Sequence, residues 1–251
     1  MFGWFSPSCP VDLHAKAWIE KRLNWLASEF GLDVFTKRAL ILPLEEFFPE
    51  RYDRSEHSVY ILFQQVCGYM DVDPDMLELK FYKDNNQLGL VNDKGQLLPG
   101  AAGLYEESDV KTVIHLENSQ LDEPMTLVGT IAHELAHVRL LGENRIRPTV
   151  FDNELLTDLT VVFHGLGIFL ANVPRASESD MSYWPKTDAR RTEYMSQSMY
   201  GYALAHMAWF RNERQPDWSR HLRLDARASF KQGLNYLWKT GDSTFKPKHA
   251  Q

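Results

Sequence analysis

Two histidines stand four residues apart at His133 and His137, and Glu134 directly follows the first of them. On an α-helix this spacing places the two imidazoles one turn apart on one face, with the carboxylate beside them. Imidazoles in this arrangement bind zinc, and the adjacent glutamate can accept a proton from water. The HExxH pattern therefore predicts a catalytic zinc site.

The residues around the motif favour the helix that it requires. Asp122 is a suitable N-cap, Glu123 and Pro124 fit the first turn, and Gly142 is a natural C-terminal stop. An apolar stripe roughly opposite the histidines is formed by Val128, Ile131, Leu135 and Val138. Three small residues precede His133 on its own face, namely Thr126, Gly129 and Thr130. We therefore expect a helix with a buried back and a front that leaves room for a substrate.

A catalytic zinc ion needs a third protein ligand, which leaves its fourth position for water. The best candidates are Glu154 and Asp158, four residues apart on one face of a second predicted helix. An apolar run at 159–163 follows them and indicates that this helix is buried. Because buried carboxylates need a partner such as a metal or an imidazole N–H, the pair fits the edge of a metal site.

With HExxH followed by this ExxxD pair, residues 101–170 resemble the gluzincin metallopeptidases, the broad thermolysin-like group. The closest resemblance is to minimal gluzincins and to cytosolic peptidases of the ImmA/IrrE type. It implies that Glu154 is the third zinc ligand and that Asp158 orients a ligand histidine. It also implies an oxyanion donor from a separate segment. Candidates for that donor, among which the sequence does not select, are Tyr194, Tyr200, Tyr202 and His206.

Other residues compete for the place of third ligand. Glu143 follows His137 by six residues, the offset that metzincin-like enzymes use, but those enzymes carry a glycine where this chain has Leu140. His164 points about 80° away from Glu154 on the second helix and better fits a core histidine. Asp158 itself is a further alternative.

Three segments ahead of the motif have the pattern of strands, and turn residues separate them. They are Leu77 to Tyr82, Ala101 to Glu106 and Val110 to Glu117. A small, mostly antiparallel sheet directly before the HExxH helix is the zincin arrangement, so we expect an α+β, zincin-like fold. By resemblance, the strand containing His115 is the edge strand that pairs with a peptide substrate, although an exposed histidine without a role is the commoner case.

The remaining chain is mainly helical in pattern, with helices expected at 11–30, 55–70, 191–212 and 224–239. In the second of these helices, six residues recur at helical spacing and are expected to face the core, namely Val59, Leu62, Phe63, Val66, Cys67 and Met70. We interpret residues 1–251 as one zincin-like domain. Its parts are a helical N-terminal part (1–75), the sheet and metal-site helices (76–172), a loop with C-terminal helices (173–240) and a frayed tail (241–251). The polar loop at 173–190 is long enough to be a lid.

Composition excludes several classes of function. A chain of 251 residues with 44% hydrophobic and 24% charged residues is typical of a globular domain. Cys9 and Cys67 are too few and too far apart for a disulfide framework or a cysteine zinc site. A net charge of −7 argues against nucleic acid or an anionic membrane as the main partner. The N-terminus lacks a signal-peptide pattern, so we expect a cytoplasmic protein.

These observations predict a zinc-dependent hydrolase with one Zn²⁺ per chain, which cleaves a peptide or protein substrate. His133, His137 and Glu154 would bind the metal, and Glu134 would act as general base. The main alternative is a zincin-fold regulatory or binding protein whose metal is structural or absent, and a further alternative is hydrolysis of a non-peptide amide. Glu134 and the small Gly129 and Thr130 favour the enzyme, because a structural site needs neither a base nor an open face.

Overall fold

The computed structural model describes residues 7–83, 103–106, 111–173 and 194–247, the second of these ranges by its backbone. Within these ranges the chain forms eight α-helices and three β-strands. The helices are α1 Leu13–Phe30, α2 Leu32–Lys37, α3 Glu56–Met70, α4 Pro124–His137, α5 Asn153–Phe163, α6 Gly167–Asn172, α7 Gln197–Phe210 and α8 Leu224–Thr240. The strands are β1 Leu77–Tyr82, β2 Gly103–Glu106 and β3 Thr112–Glu117. The α+β class predicted from the sequence is confirmed.

Shorter helical turns complete the described structure. They are 3₁₀ turns at Pro74–Met76, Asn118–Asp122 and Asp217–His221, and a π-helical turn at Val138–Gly142. In the part of the chain that the structure describes, no helix has both the length and the hydropathy that crossing a bilayer requires.

Contacts divide the chain into two compact units, one made of residues 1–42 with 151–251 and the other of residues 43–150. The predicted N-terminal part, 1–75, is therefore distributed over both units. Helices α1 and α2 belong to the first unit with α5 to α8, whereas α3 belongs to the second with the sheet and α4.

The sheet of the 43–150 unit corrects two expectations. Its strand order is β1-β3-β2, with β1 parallel and β2 antiparallel to β3, so the described sheet is mixed rather than mostly antiparallel. The strand that carries His115, β3, is the central strand and not an edge. His115 is buried, with 8% of its surface exposed, as are Val113, Ile114 and Leu116. A strand paired on both sides and covered on both faces loses the alternation that marks an edge.

Helix α3 packs against α4 through the apolar face that its spacing predicts. All six predicted core residues are buried, namely Val59, Leu62, Phe63, Val66, Cys67 and Met70. Burial raises the pKa of Cys67 to about 12, so its thiol is a small apolar core group and not a nucleophile. Arg139, in the π-helical turn after α4, donates to the carbonyl oxygen of Asp71 at 2.6 Å and so joins the C-terminal ends of the two helical segments.

In the other unit, α7 and α8 pack so closely that one position requires glycine. A Cβ atom at Gly201 would lie 2.7 Å from the backbone nitrogen of Phe230, inside any normal contact distance. Helix α7 begins at Gln197, where the hydroxyl of Ser196 accepts from the backbone N–H of Met199 at 3.3 Å. The sequence predicted an earlier start, at 191, and residues 191–193 lie outside the described ranges.

The predicted frayed tail is wrong for residues 241–247, in which alternate residues are buried, namely Ser243, Phe245 and Pro247. Phe245 is 4% exposed and stacks on Phe210 with 4.3 Å between the ring centroids. The Ser243 hydroxyl lies 2.9 Å from Nε2 of His206, whose pKa is lowered because the ring is fully buried. The stabilisation from burying these aromatic rings exceeds the loss of conformational entropy on ordering this segment, which was the reason to expect it to fray.

We predict that Phe245→Ala lowers the free energy of unfolding by about 3 to 5 kcal/mol, because it empties a packed aromatic site. The change is measured by urea denaturation followed by circular dichroism. Phe151→Ala removes the same atoms from a side chain that is 60% exposed and should cost less than about 1 kcal/mol. Equal losses in the two variants would show that residues 241–247 are not part of the core.

Candidate metal centre

Helix α4 carries the HExxH residues in one buried stretch. His133 and His137 are each 8% exposed and Glu134 is 5% exposed. The two imidazole rings lie one turn apart, with centroids 4.9 Å apart and planes nearly perpendicular at 82°. The motif therefore has the helical geometry that its spacing predicts, in surroundings from which much of the water is excluded.

The start of α4 differs by one residue from the prediction. Glu123 is the N-cap, without a side-chain hydrogen bond, and Pro124 opens the helix. Asp122 instead ends a 3₁₀ turn, and its carboxylate accepts from Arg54 at 2.9 Å. Proline has no backbone N–H, so a helix that begins with proline has one fewer N–H group that needs a hydrogen-bond acceptor. A side-chain cap is therefore less necessary here.

The rest of α4 matches the predicted division into faces. In the apolar stripe Val128, Ile131 and Leu135 are fully buried and Val138 is half-buried. Of the small residues before His133, Gly129 is buried, and Thr126 and Thr130 are half-buried. The α-helix gives way to the π-helical turn after His137, and helical structure ends at Gly142 as predicted.

Helix α5 begins at a hydrogen-bonded cluster of Asp152, Trp18 and Arg22, here called the clamp, which was not predicted from the sequence. Asp152, just before the helix, is 6% exposed, and its carboxylate accepts from Trp18 Nε1 at 2.6 Å. Arg22 donates to both oxygens of the same carboxylate, from Nε at 2.7 Å and from Nη2 at 2.5 Å. A bidentate arginine and an indole N–H fix both the position and the orientation of this carboxylate. The clamp therefore fixes the first turn of α5, in which half-buried Glu154 lies.

Asp158 lies one turn after Glu154 on α5 and is fully buried. Its Oδ2 accepts from the backbone N–H of Met195 at 2.8 Å, which ties α5 to the residues that lead into α7. The ExxxD spacing thus provides one half-buried and one fully buried carboxylate in consecutive turns.

The three predicted ligands come together in the described structure. One side-chain donor atom each from His133, His137 and Glu154 lies within 4.8 Å of the other two. Two imidazoles and one carboxylate are a donor set that zinc takes in catalytic sites, where three protein ligands leave one position open. The residues present therefore fit a zinc ion.

The competing ligands lie in other surroundings. Glu143 forms ion pairs with Arg139 and with Arg145, both at 2.8 Å, and is not part of the group of His133, His137 and Glu154. His164 caps the C-terminal end of α5, with Nδ1 2.9 Å from the carbonyl oxygen of Thr160 and its ring edge-on to Phe30. It is fully buried, as expected of a core histidine.

The candidate oxyanion donors differ in their surroundings. Tyr202 donates to the buried carboxylate of Glu20 at 2.9 Å, and the ring nitrogens of His206 face the Tyr202 carbonyl oxygen and the Ser243 hydroxyl. Tyr200 is fully buried, whereas Tyr194 precedes α7 and is 39% exposed. Tyr202 and His206 thus hold the core of their unit together. The predicted lid at 173–190 lies, apart from its first residue, outside the described ranges.

Comparison of the chain with models of protein families, with characterised proteins and with solved structures finds no match. The chemistry and the geometry of the described residues are therefore the basis on which a function is proposed.

We predict that Asp152→Asn lowers the free energy of unfolding by about 2 kcal/mol, because it weakens charge-assisted hydrogen bonds from Arg22 and Trp18. The measurement is urea denaturation without added metal. Asp33→Asn is the matched control, since Asp33 pairs with Lys37 where both side chains are 73% exposed, and it should cost less than about 1 kcal/mol. A loss for Asp152→Asn no larger than for the control would contradict the clamp.

Proposed function

We propose that this chain is a zinc-dependent hydrolase that cleaves peptide bonds. The observation that carries the proposal is the convergence of donor atoms from His133, His137 and Glu154 within 4.8 Å, with Glu134 next to His133 on the same helix. We also propose that the arrangement is zincin-like, because a small sheet, the HExxH helix and a second ligand-bearing helix follow one another along the chain.

The roles of the ligands follow from their chemistry. Two neutral imidazoles and one carboxylate would hold the metal and leave a coordination position for the reacting groups. Zinc, when bound, supplies a Lewis acid that polarises a carbonyl and makes water more acidic. The clamp at Asp152 supports this role by holding the turn that carries Glu154.

Glu134 would move the proton. Its carboxylate accepts a proton as water attacks the carbonyl carbon, and it then gives that proton to the amine as the C–N bond breaks. The 5% exposure of Glu134 supports this role, because a carboxylate with few competing waters keeps the proton available for the amine. Buried Asp158 would act as a positioning residue for a ligand histidine, the role that the ExxxD resemblance implies.

A binding or regulatory protein with a structural metal is the alternative. A structural zinc site is usually closed by four protein ligands and has no use for an adjacent base. The described group has three ligands and a buried carboxylate beside one of them, and Gly129 lies buried one turn before His133. These features favour an enzyme.

We predict that Glu134→Gln abolishes hydrolysis and keeps both the fold and the zinc, because the amide replaces the proton acceptor without changing shape. The test incubates the zinc-loaded protein with a mixed peptide library and identifies cleaved bonds by mass spectrometry. Both proteins are purified identically, so a contaminating protease would act equally in the two samples.

Two results would contradict this account in different ways. Cleavage by Glu134→Gln at the parental rate would exclude Glu134 as the base. Zinc bound by the parent without cleavage of any library peptide would exclude a general peptidase and would leave a non-peptide amide hydrolase or a structural metal.

Loss of a hydrogen bond that supports a metal ligand lowers metal affinity by roughly 10- to 100-fold. We predict that Glu154→Ala lowers the zinc affinity by more than this, because it removes a ligand itself. Asp158→Asn, which keeps an acceptor oxygen for Met195, should fall inside that range. Glu143→Ala is the control and should leave the affinity unchanged, because Glu143 pairs with Arg139 and Arg145. The affinities are measured by competition with a chromophoric chelator. Normal affinity in Glu154→Ala with loss in Glu143→Ala would contradict the proposed ligand set.

A further inference from the structure

A groove of about 820 Å³ opens on the unit formed by residues 1–42 and 151–251, between α8 and the segment that links α7 to α8. Its lining is strongly basic. Five cationic side chains border it, namely Arg214, Arg220, Arg227, Lys231 and Lys239, against the single carboxylate of Asp217. This concentration of positive charge stands out in a chain whose net charge is −7.

Among the residues that the structure describes, the cations of the groove have no ion-pair partner. None of the five forms an ion pair with another residue in the described part of the chain, whereas the neighbouring Arg223 pairs with Asp225 at 2.9 Å. Uncompensated cations along a concave surface raise the local potential and attract an anionic partner.

One of these cations is already held in position. The guanidinium carbon of Arg214 lies 4.1 Å from the ring centroid of Trp238, a cation–π contact in which the ring supports the charge. An arginine held in this way loses less conformational freedom on binding than a free side chain does. Its planar donors suit the two oxygens of a carboxylate.

The spread of charge favours an extended ligand over a compact one. Arg227, Lys231 and Lys239 lie on one helix, α8, and the first and last of them are separated by about 18 Å along its axis at the α-helical rise. A single phosphate cannot reach cations so far apart, but a short peptide with several carboxylates can.

The aromatic residues of the groove argue against nucleic acid. Single-stranded nucleic acid binds through open aromatic faces on which bases stack. Here Arg214 covers a face of Trp238, and Phe230 is only 1% exposed and contacts Trp218. Both aromatic rings of the groove are thus already in contact with other side chains.

We propose that this groove binds an acidic segment of a protein partner, rich in Asp and Glu, through Arg214, Arg227, Lys231 and Lys239. The site is independent of the proposed zinc chemistry, since no residue of the HExxH or ExxxD motifs contributes to it.

The test uses the 251-residue chain and a fluorescein-labelled decaglutamate peptide, with binding followed by fluorescence anisotropy at low and high salt. We expect salt-dependent binding that Lys231→Glu/Lys239→Glu weakens by about tenfold or more, because both side chains are exposed and two charges are reversed. The neutralising pair Lys231→Gln/Lys239→Gln should give an intermediate loss. Circular dichroism checks the fold of every variant.

The matched control is Lys21→Glu/Lys37→Glu, which makes the same charge change on exposed helical residues of the same unit outside the groove. It should change the affinity by less than about twofold. Three results would overturn the proposal: equal losses in the groove and control variants, no loss in the groove variants, or tighter binding of decathymidylate than of decaglutamate. The last result would assign the groove to nucleic acid instead.

Discussion

The burial of the HExxH residues is the constraint on which the rest of the candidate site depends. A polar side chain inside a protein must be hydrogen-bonded or must bind a metal, because the cost of leaving it without a partner is several kcal/mol. His133, Glu134 and His137 occupy consecutive turns of a helix that is buried on most of its surface. The residues around them must therefore leave room on this face of the helix and supply a carboxylate near the imidazoles. Gly129, one turn before His133, is small enough to leave room. Glu154 supplies a carboxylate oxygen within 4.8 Å of a nitrogen atom of each imidazole.

The sequence predicted those parts of the structure that local periodicity encodes. The HExxH spacing, the apolar stripe behind it and the ExxxD spacing each span a few helical turns. The position of α4 was therefore predicted with nearly correct ends, and a helix was predicted around Glu154 and Asp158, where α5 lies. The same is true of α3, whose predicted core residues are all buried. Helical periodicity is a local property of the sequence, so it can be recognised without knowing which residues pack against the helix.

Features that depend on distant pairing could not be predicted in this way. The parallel pairing of β1 with β3 and the central place of β3 depend on which strands meet, and a strand pattern does not specify its partner. The clamp at Asp152 joins residues 130 or more positions apart, and no local pattern marks Trp18 or Arg22 as its partners. Phe245 packs on Phe210 although a polar, chain-terminal sequence surrounds it. In each case a single long-range contact decides the local structure.

The proposed hydrolase requires that the chain binds zinc at His133, His137 and Glu154. The most direct test is metal analysis of the protein purified without added metal, compared with His133→Ala and His137→Ala prepared in parallel. The account predicts about one zinc per chain in the parent and a large loss in both variants, because each removes one of three ligands. Absence of zinc from the parent together with no binding of added zinc would contradict it, and so would equal zinc content in all three proteins.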